Sequence, residues 1–140
     1  MGNLIWKTRI AVLWILAAVV MSAHIILVSI DPAAMEKTAE WAAKASQGEW
    51  VFSALFWLVP MWMALVVLTL KGSANRWINF IVAIIFTIFN IWHFFICGVP
   101  LLKGGAYTEP TVHHILLVAS SAVATALIAW FAWKRLKQKE

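Results

Sequence analysis

Charged residues are scarce in this chain. Only 12% of its 140 residues are Asp, Glu, Lys or Arg, whereas 64% are hydrophobic and the mean hydropathy is +0.87. A soluble domain carries about a quarter of its residues as charged side chains. This composition therefore excludes a water-soluble surface over much of the molecule, and we expect one domain, residues 1–140, whose solvent is mostly lipid.

Cysteine, tyrosine and catalytic motifs are also scarce. Cys97 is the single cysteine, which excludes a disulfide within the chain. No His-Glu-x-x-His, Cys-x-x-Cys or Gly-x-Ser-x-Gly pattern is present, so nothing in the sequence predicts a hydrolase, a protease or a nucleotide-driven pump. One Tyr stands against ten Trp and eight Phe. Several Trp lie near the ends of apolar runs, where amphipathic rings prefer the membrane interface.

Long apolar runs are what the chain has instead. A membrane-spanning helix needs about 20 apolar residues. Runs of that length cover residues 10–30, 50–70, 77–97 and 112–133. After the first run, Asp31 and Pro32 are typical of a helix start, and the second and third runs are joined by a tight loop over residues 71–76. The sequence predicts an all-α integral membrane four-helix bundle with a short extracytoplasmic surface helix over about residues 32–46.

The basic residues indicate the orientation of the bundle. Eight of the eleven fall on one side of the predicted membrane, namely Lys7, Arg9, Lys71, Arg76, Lys134, Arg135, Lys137 and Lys139. By the positive-inside rule both termini are cytoplasmic, and we expect a bacterial cytoplasmic (inner) membrane. The same asymmetry accounts for the formal charge of +5 without a nucleic-acid partner, and the basic C-terminal tail suits contact with anionic lipid.

Small and polar residues line one face of every predicted span, as helical periodicity requires of a packed face. In the third span this face contains Asn79, Ala83, Asn90, His93 and Cys97. The corresponding sets are Ala17, Met21, His24 and Val28 in the first span and Glu49, Ser53, Pro60 and Ala64 in the second. The fourth span has one face with His114, Ser121, Thr125 and Ala132 and another with His113, Ser120 and Ala124. Such faces suit helix–helix contact.

All four histidines gather near the outer ends of the predicted spans. At 1.5 Å per residue, His24 and His93 lie about 8–9 Å inside the outer boundary. His113, His114 and Glu49 begin their helices on the same side. Ionisable residues within a membrane span are functional candidates by default, so this cluster is the main functional signal of the sequence.

The sequence leaves several interpretations of the cluster open. His24 and His93 would serve as axial ligands of a b-type haem, with quinol as the electron donor and with His113, His114 or Glu49 near the propionates. His24, His93 and His114 would alternatively bind copper or zinc. The cofactor or ligand site predicted from the cluster consists of His24, Glu49, Asn90, His93 and His114. Trp57, Trp62 and Trp92 are candidates for lining a pocket for a flat hydrophobic ligand or a lipid, and a purely structural role of the histidines is the remaining alternative.

Several short motifs resemble a family of small bacterial four-helix integral membrane proteins of unknown function. They are residues 71–79 (KGSANRWIN), 84–87 (IIFT) and 129–134 (AWFAWK), with Asp31-Pro32 after the first span and Pro60-Met61 in the second. The resemblance implies a four-span bacterial membrane protein and no particular activity.

These observations together predict a small non-enzymatic membrane protein, either a ligand-binding or an accessory subunit. We expect membrane lipid as its surroundings, a homo-oligomer or a larger membrane complex as its context, and a quinone or another hydrophobic small molecule as a partner. The alternatives are a b-haem- or quinone-linked electron carrier and a metal-binding or transport protein.

Overall fold

A computed structural model describes residues 2–30, 32–95 and 112–137, except for the side chains of residues 2, 3, 28, 33, 34, 37 and 112–114. Within these ranges the chain forms five helices and no strand. They are α1 (Gly2–Ile30), α2 (Pro32–Lys44), α3 (Gln47–Thr69), α4 (Gly72–His93) and α5 (Val112–Lys137). All except α2 are long and apolar enough to cross a membrane, so the chain is a multi-pass, all-helical membrane protein.

The helices extend beyond the apolar runs at several ends. α1 begins at Gly2 rather than at Ile10, and α5 ends at Lys137 rather than at Trp133. Hydrophobicity marks the part of a helix that suits lipid, whereas the backbone hydrogen bonds continue through polar residues. Cys97 and the connection over residues 98–111 lie outside the described residues.

The turn between α3 and α4 is shorter than predicted. Residues 70–71 form the whole connection, so the loop expected over residues 71–76 is mostly the first turn of α4. Gly72 has a φ of 70°, the left-handed region that favours glycine, which permits the sharp reversal. The Lys7 amino group donates to the carbonyls of Leu68 (3.1 Å) and Leu70, and thereby places a cation at the C-terminal end of α3.

The long helices pack so that α1 contacts both α3 and α5, while α4 packs mainly against α5 and α2 contacts α1. The centre of the bundle is fully buried at Ile10, Trp14, Val67 and Ile128, whereas many Val, Leu and Ile side chains are exposed on the outside, as lipid-facing residues are.

The inward faces of α4 and α5 follow the predicted polar stripes. Asn79, Ala83 and Asn90 are buried on α4. On α5, Ser121 is buried and Ser120 is exposed, so the face predicted to contain Ser121, Thr125 and Ala132 turns inward.

A hydrogen-bonded network joins three helices at the end of the bundle near Lys7. Trp14 Nε1 donates to Asn79 Oδ1 (2.8 Å), and Asn79 Nδ2 donates to both the backbone oxygen and Oδ1 of Asn75 (2.8 and 2.7 Å). Asn75 Nδ2 in turn donates to the carbonyls of Val67 and Leu70, both at 2.9 Å. These polar groups are buried and satisfied, so we assign them to stabilising α1, α3 and α4 against one another.

Candidate ligand cavity

A cavity of about 470 Å³ lies at the end of the bundle where α1 and α4 end and α3 and α5 begin. Side chains from all five helices line it. Its volume falls within the range of about 300–1,000 Å³ that is typical of small-molecule sites. Most of its surface is apolar, and much of it is aromatic: Trp41, Trp50, Phe52, Phe56, Trp57 and Phe89.

Aromatic rings form the contact between α3 and α4 beside the cavity. The ring centroid of Phe56 lies 4.8 Å from that of Phe86 and 4.6 Å from that of Phe89, and Phe52 lies 6.3 Å from Phe89. The side chains at a contact set the distance between the two helix axes. A contact made by phenylalanines keeps helices farther apart than a contact made by small residues such as Ala17 and Ala83. The aromatic rings at this contact therefore form one side of the cavity.

His24 and His93 meet in this cavity. Their ring centroids are 5.6 Å apart and the ring planes are nearly perpendicular, at 81°. Both side chains are half-buried and both line the cavity. The two histidines that the sequence places at matching depth on different helices are thus in contact.

Two more deeply buried polar side chains line the same cavity as the histidines. Asn90 is 6% exposed and donates from Nδ2 to the carbonyl of Phe86 at 2.8 Å, its single side-chain hydrogen bond among the described residues. Ser121 is 2% exposed and also lines the cavity. Within the described part of the chain, its Oγ is buried and has no hydrogen-bond partner. A buried hydroxyl without a hydrogen-bond partner costs free energy, and a bound molecule with an acceptor atom would remove that cost.

Several other hydroxyls in the bundle donate to the carbonyl four residues earlier, as Thr87 does to Ala83 (2.7 Å), Ser120 to Leu116 (2.7 Å) and Thr125 to Ser121 (3.0 Å). Sequence reasoning assigned Ser121 to helix packing and missed its place in the cavity. No sequence signal distinguishes a serine that bonds its own helix from one that faces a cavity.

The cavity lining contains no Asp, Glu, Lys or Arg among the described residues. Apart from His24 and His93, no side chain of this described lining can offer an opposite charge to a charged ligand, and burial of a charge without a partner is costly. The lining therefore suits an uncharged molecule.

Glu49 lies outside the cavity lining, and the structure gives it a local role. The backbone N–H and the hydroxyl of Ser46 donate to Glu49 Oε2 at 2.7 and 2.8 Å, and Ser46 Oγ accepts from the Glu49 N–H at 3.4 Å. This capping box begins α3. A predicted site residue is thus placed in an exposed helix cap, where it satisfies the first turn of α3.

The proposed metal ligands are brought together only in part. His24 and His93 are in contact, whereas the side chains of His113 and His114, at the start of α5, lie outside the described ones. Among the described residues no group of three His, Cys, Asp or Glu is arranged to hold a metal ion. The three-histidine metal site stays a prediction.

The predicted aromatic pocket residues divide between lining and surface. Trp57 lines the cavity, whereas Trp62 and Trp92 are 62% and 55% exposed and lie outside the lining. In their place α2 contributes Trp41, whose ring centroid is 5.2 Å from that of Trp50 on α3. Thr38 and Trp41 both line the cavity, so α2 forms part of its boundary.

Comparison of the chain with protein-family models, with curated proteins and with solved structures found no match. The function proposed below therefore follows from the cavity and its surroundings.

Proposed function

We propose that this protein binds a small, uncharged hydrophobic molecule within its helical bundle, as a non-enzymatic ligand-binding or accessory subunit. The observation that carries the proposal is the cavity of about 470 Å³, with its aromatic walls and its few polar side chains. Small-molecule sites commonly combine a mostly apolar lining with a small number of placed polar groups.

Selectivity at this site would come from shape and polar contacts rather than from hydrophobicity alone. A molecule that moves from lipid tails into an apolar cavity gains little from the hydrophobic effect, since both surroundings are apolar. Aromatic pairs contribute about 0.5–1.5 kcal/mol beyond area burial, so rings such as Phe56 and Trp57 favour a flat, aromatic ligand. A quinone or a related ring compound has this form.

We propose further that the basic end of the bundle is cytoplasmic, in a bacterial inner membrane. Lys7, Arg76 and Lys134 lie at that end, opposite the cavity, which would then lie in the outer leaflet. In this orientation α2 would rest on the outer membrane surface, above the cavity. Association with a second copy or with a larger membrane complex belongs to the same proposal.

Filling the cavity tests the proposal. The side chain of Ser53 lines the cavity from α3, and Leu55 on the same helix is 55% exposed on the outside. We expect Ser53→Phe to remove saturable binding of acetylnaphthalene, a flat uncharged probe, because the new ring occupies the space. Leu55→Phe adds a ring to the lipid-facing side and should bind the probe as the unaltered protein does.

The measurement is equilibrium dialysis of the probe against the protein in lipid nanodiscs, with the uptake of empty nanodiscs subtracted. Uptake by the unaltered protein that does not saturate, or that Ser53→Phe leaves unchanged, would refute binding in this cavity.

A b-haem-linked electron carrier is the second candidate, because His24 and His93 come from two helices and line the same cavity. It predicts a Soret band that moves on reduction and that disappears in His24→Ala and His93→Ala. A spectrum showing only tryptophan absorption, after expression with ample haem, would refute it.

A further inference from the structure

We infer that Ser121 and Asn90 bind a carbonyl oxygen of the ligand, so that the cavity selects an uncharged aromatic ketone or quinone over a hydrocarbon of the same shape. This inference rests on the proposed function and names the chemical class of the ligand. The observation that carries it is the buried Ser121 hydroxyl, which has no hydrogen-bond partner in the described part of the chain and lines the cavity.

The O–H group of Ser121 is a hydrogen-bond donor that a ligand could use. A helical serine ordinarily donates a hydrogen bond to the carbonyl four residues earlier, as Ser120 does to Leu116. Ser121 makes no such bond with the described residues, and its O–H is buried. A ligand oxygen would satisfy it, and leaving it unmet costs more than an ordinary hydrogen bond contributes.

Asn90 supplies a second donor from the neighbouring helix. Its amide group has two N–H donors, and the bond from Nδ2 to the Phe86 carbonyl uses one of them. The second N–H belongs to a side chain that lines the same cavity. A carbonyl oxygen has two lone pairs, so one ligand atom can accept from both Ser121 and Asn90.

The rest of the lining defines the remainder of the ligand. The absence of Asp, Glu, Lys and Arg from the described lining disfavours carboxylates, phosphates and amines. Phe56, Trp57 and Phe89 provide flat apolar surfaces for an aromatic body. A carbonyl attached to an aromatic ring system meets both requirements.

The test compares two probes of matched shape. Acetylnaphthalene carries the carbonyl, and isopropenylnaphthalene replaces its oxygen with a CH₂ group. Two hydrogen bonds correspond to a preference of about tenfold or more, and we expect the protein in nanodiscs to bind the ketone more tightly by about that factor after correction for partition into lipid.

Two substitutions assign this preference to residues. Ser121→Ala and Asn90→Leu should each reduce the preference for the ketone over the hydrocarbon by roughly 3- to 10-fold. Ser120→Ala is the matched control, because it removes the neighbouring hydroxyl, which is exposed and bonded to its own helix.

The outcomes separate this inference from the function on which it rests. Equal binding of the two probes, or a ketone preference that survives both Ser121→Ala and Asn90→Leu, overturns the inference while ligand binding stands. Failure of the unaltered protein to bind either probe overturns both. A preference lost in both variants and kept in Ser120→Ala supports the inference.

Discussion

At the residue scale, buried polar side chains in this protein divide into two groups. Asn75 and Asn79 are buried with their hydrogen bonds satisfied inside the bundle, and they join helices. Ser121 is equally buried and lacks a partner among the described residues. Buried polar side chains therefore stabilise the bundle at one end, and at the other end a buried polar side chain lines the cavity.

The stabilising group can be tested by removing Asn79. In Asn79→Ala, Trp14 Nε1 loses its acceptor and Asn75 Oδ1 loses a donor, both in buried surroundings. Hydrogen bonds between membrane helices are worth less than the same bonds in apolar solvent, so we expect the free energy of unfolding to fall by about 1–2 kcal/mol.

Reversible unfolding in mixed detergent micelles measures this loss. Ile81→Ala, at a site on α4 that is 51% exposed, serves as the control for shortening a side chain on the same helix. Equal losses in the two variants would mean that the network contributes nothing of its own.

Some of these residue assignments could be predicted from the sequence. Asn79 and Asn90 share a helical face, and lipid disfavours exposed amides, so their burial follows from periodicity. The matching depth of His24 and His93 follows from helix rise and from the directions of the two helices, whereas their contact depends on the packing of the bundle. The missing hydrogen bond of the Ser121 hydroxyl, among the described residues, could not be predicted from periodicity or from helix rise, because it depends on the local geometry of the packed bundle.

At the scale of elements, an aromatic contact between α3 and α4 borders the cavity. Phe56 and Phe89 meet in this contact, while Trp62 and Trp92 on the same two helices are exposed. Hydropathy could not separate these pairs in advance, since an aromatic ring that faces lipid and one that lines a cavity have the same polarity. In a soluble protein water would distinguish the two faces, and in lipid that contrast is absent.

α2 is the element whose role the sequence describes least fully. Its composition predicts a surface helix, and among the described side chains the ring pair of Trp41 with Trp50, at 5.2 Å, joins it to α3. Because Trp41 lines the cavity as well, we propose that α2 retains the ligand.

Trp41→Ala should accordingly accelerate ligand release. Loss of an aromatic pair is worth about 0.5–1.5 kcal/mol, so we expect acetylnaphthalene to dissociate roughly 2- to 10-fold faster. Stopped-flow dilution of the loaded protein measures the rate. Trp62→Ala removes an exposed tryptophan outside the lining and should leave the dissociation rate unchanged. Equal rates in the two variants would refute a retaining role for α2.

At the scale of the whole molecule, the four long helices were predictable in number and approximate position, because each is an apolar run of sufficient length. Their ends were not, since α1, α4 and α5 continue through charged or polar residues. The small residues predicted to support helix–helix contact pack within the bundle, where Ala17, Ala83 and Ala132 are fully buried.

Orientation in the membrane is a property of the whole molecule that chemical labelling measures. On a Cys97→Ala background, cysteines introduced at the exposed positions Gln47 and Ser73 mark opposite ends of the bundle. We expect an impermeant maleimide to label Gln47→Cys in intact cells and Ser73→Cys only after permeabilisation, since the basic end should be cytoplasmic. The reverse pattern would contradict the proposed orientation.

The most direct test of the central claim asks what the protein contains when it leaves its own membrane. Native mass spectrometry of the gently extracted protein should detect a small uncharged aromatic molecule bound to the unaltered chain and to Leu55→Phe. The same molecule should be absent from Ser53→Phe, in which the added ring fills the cavity. An unaltered protein that carries no such molecule, or a Ser53→Phe variant that carries it undiminished, would contradict the claim that the cavity is a ligand site.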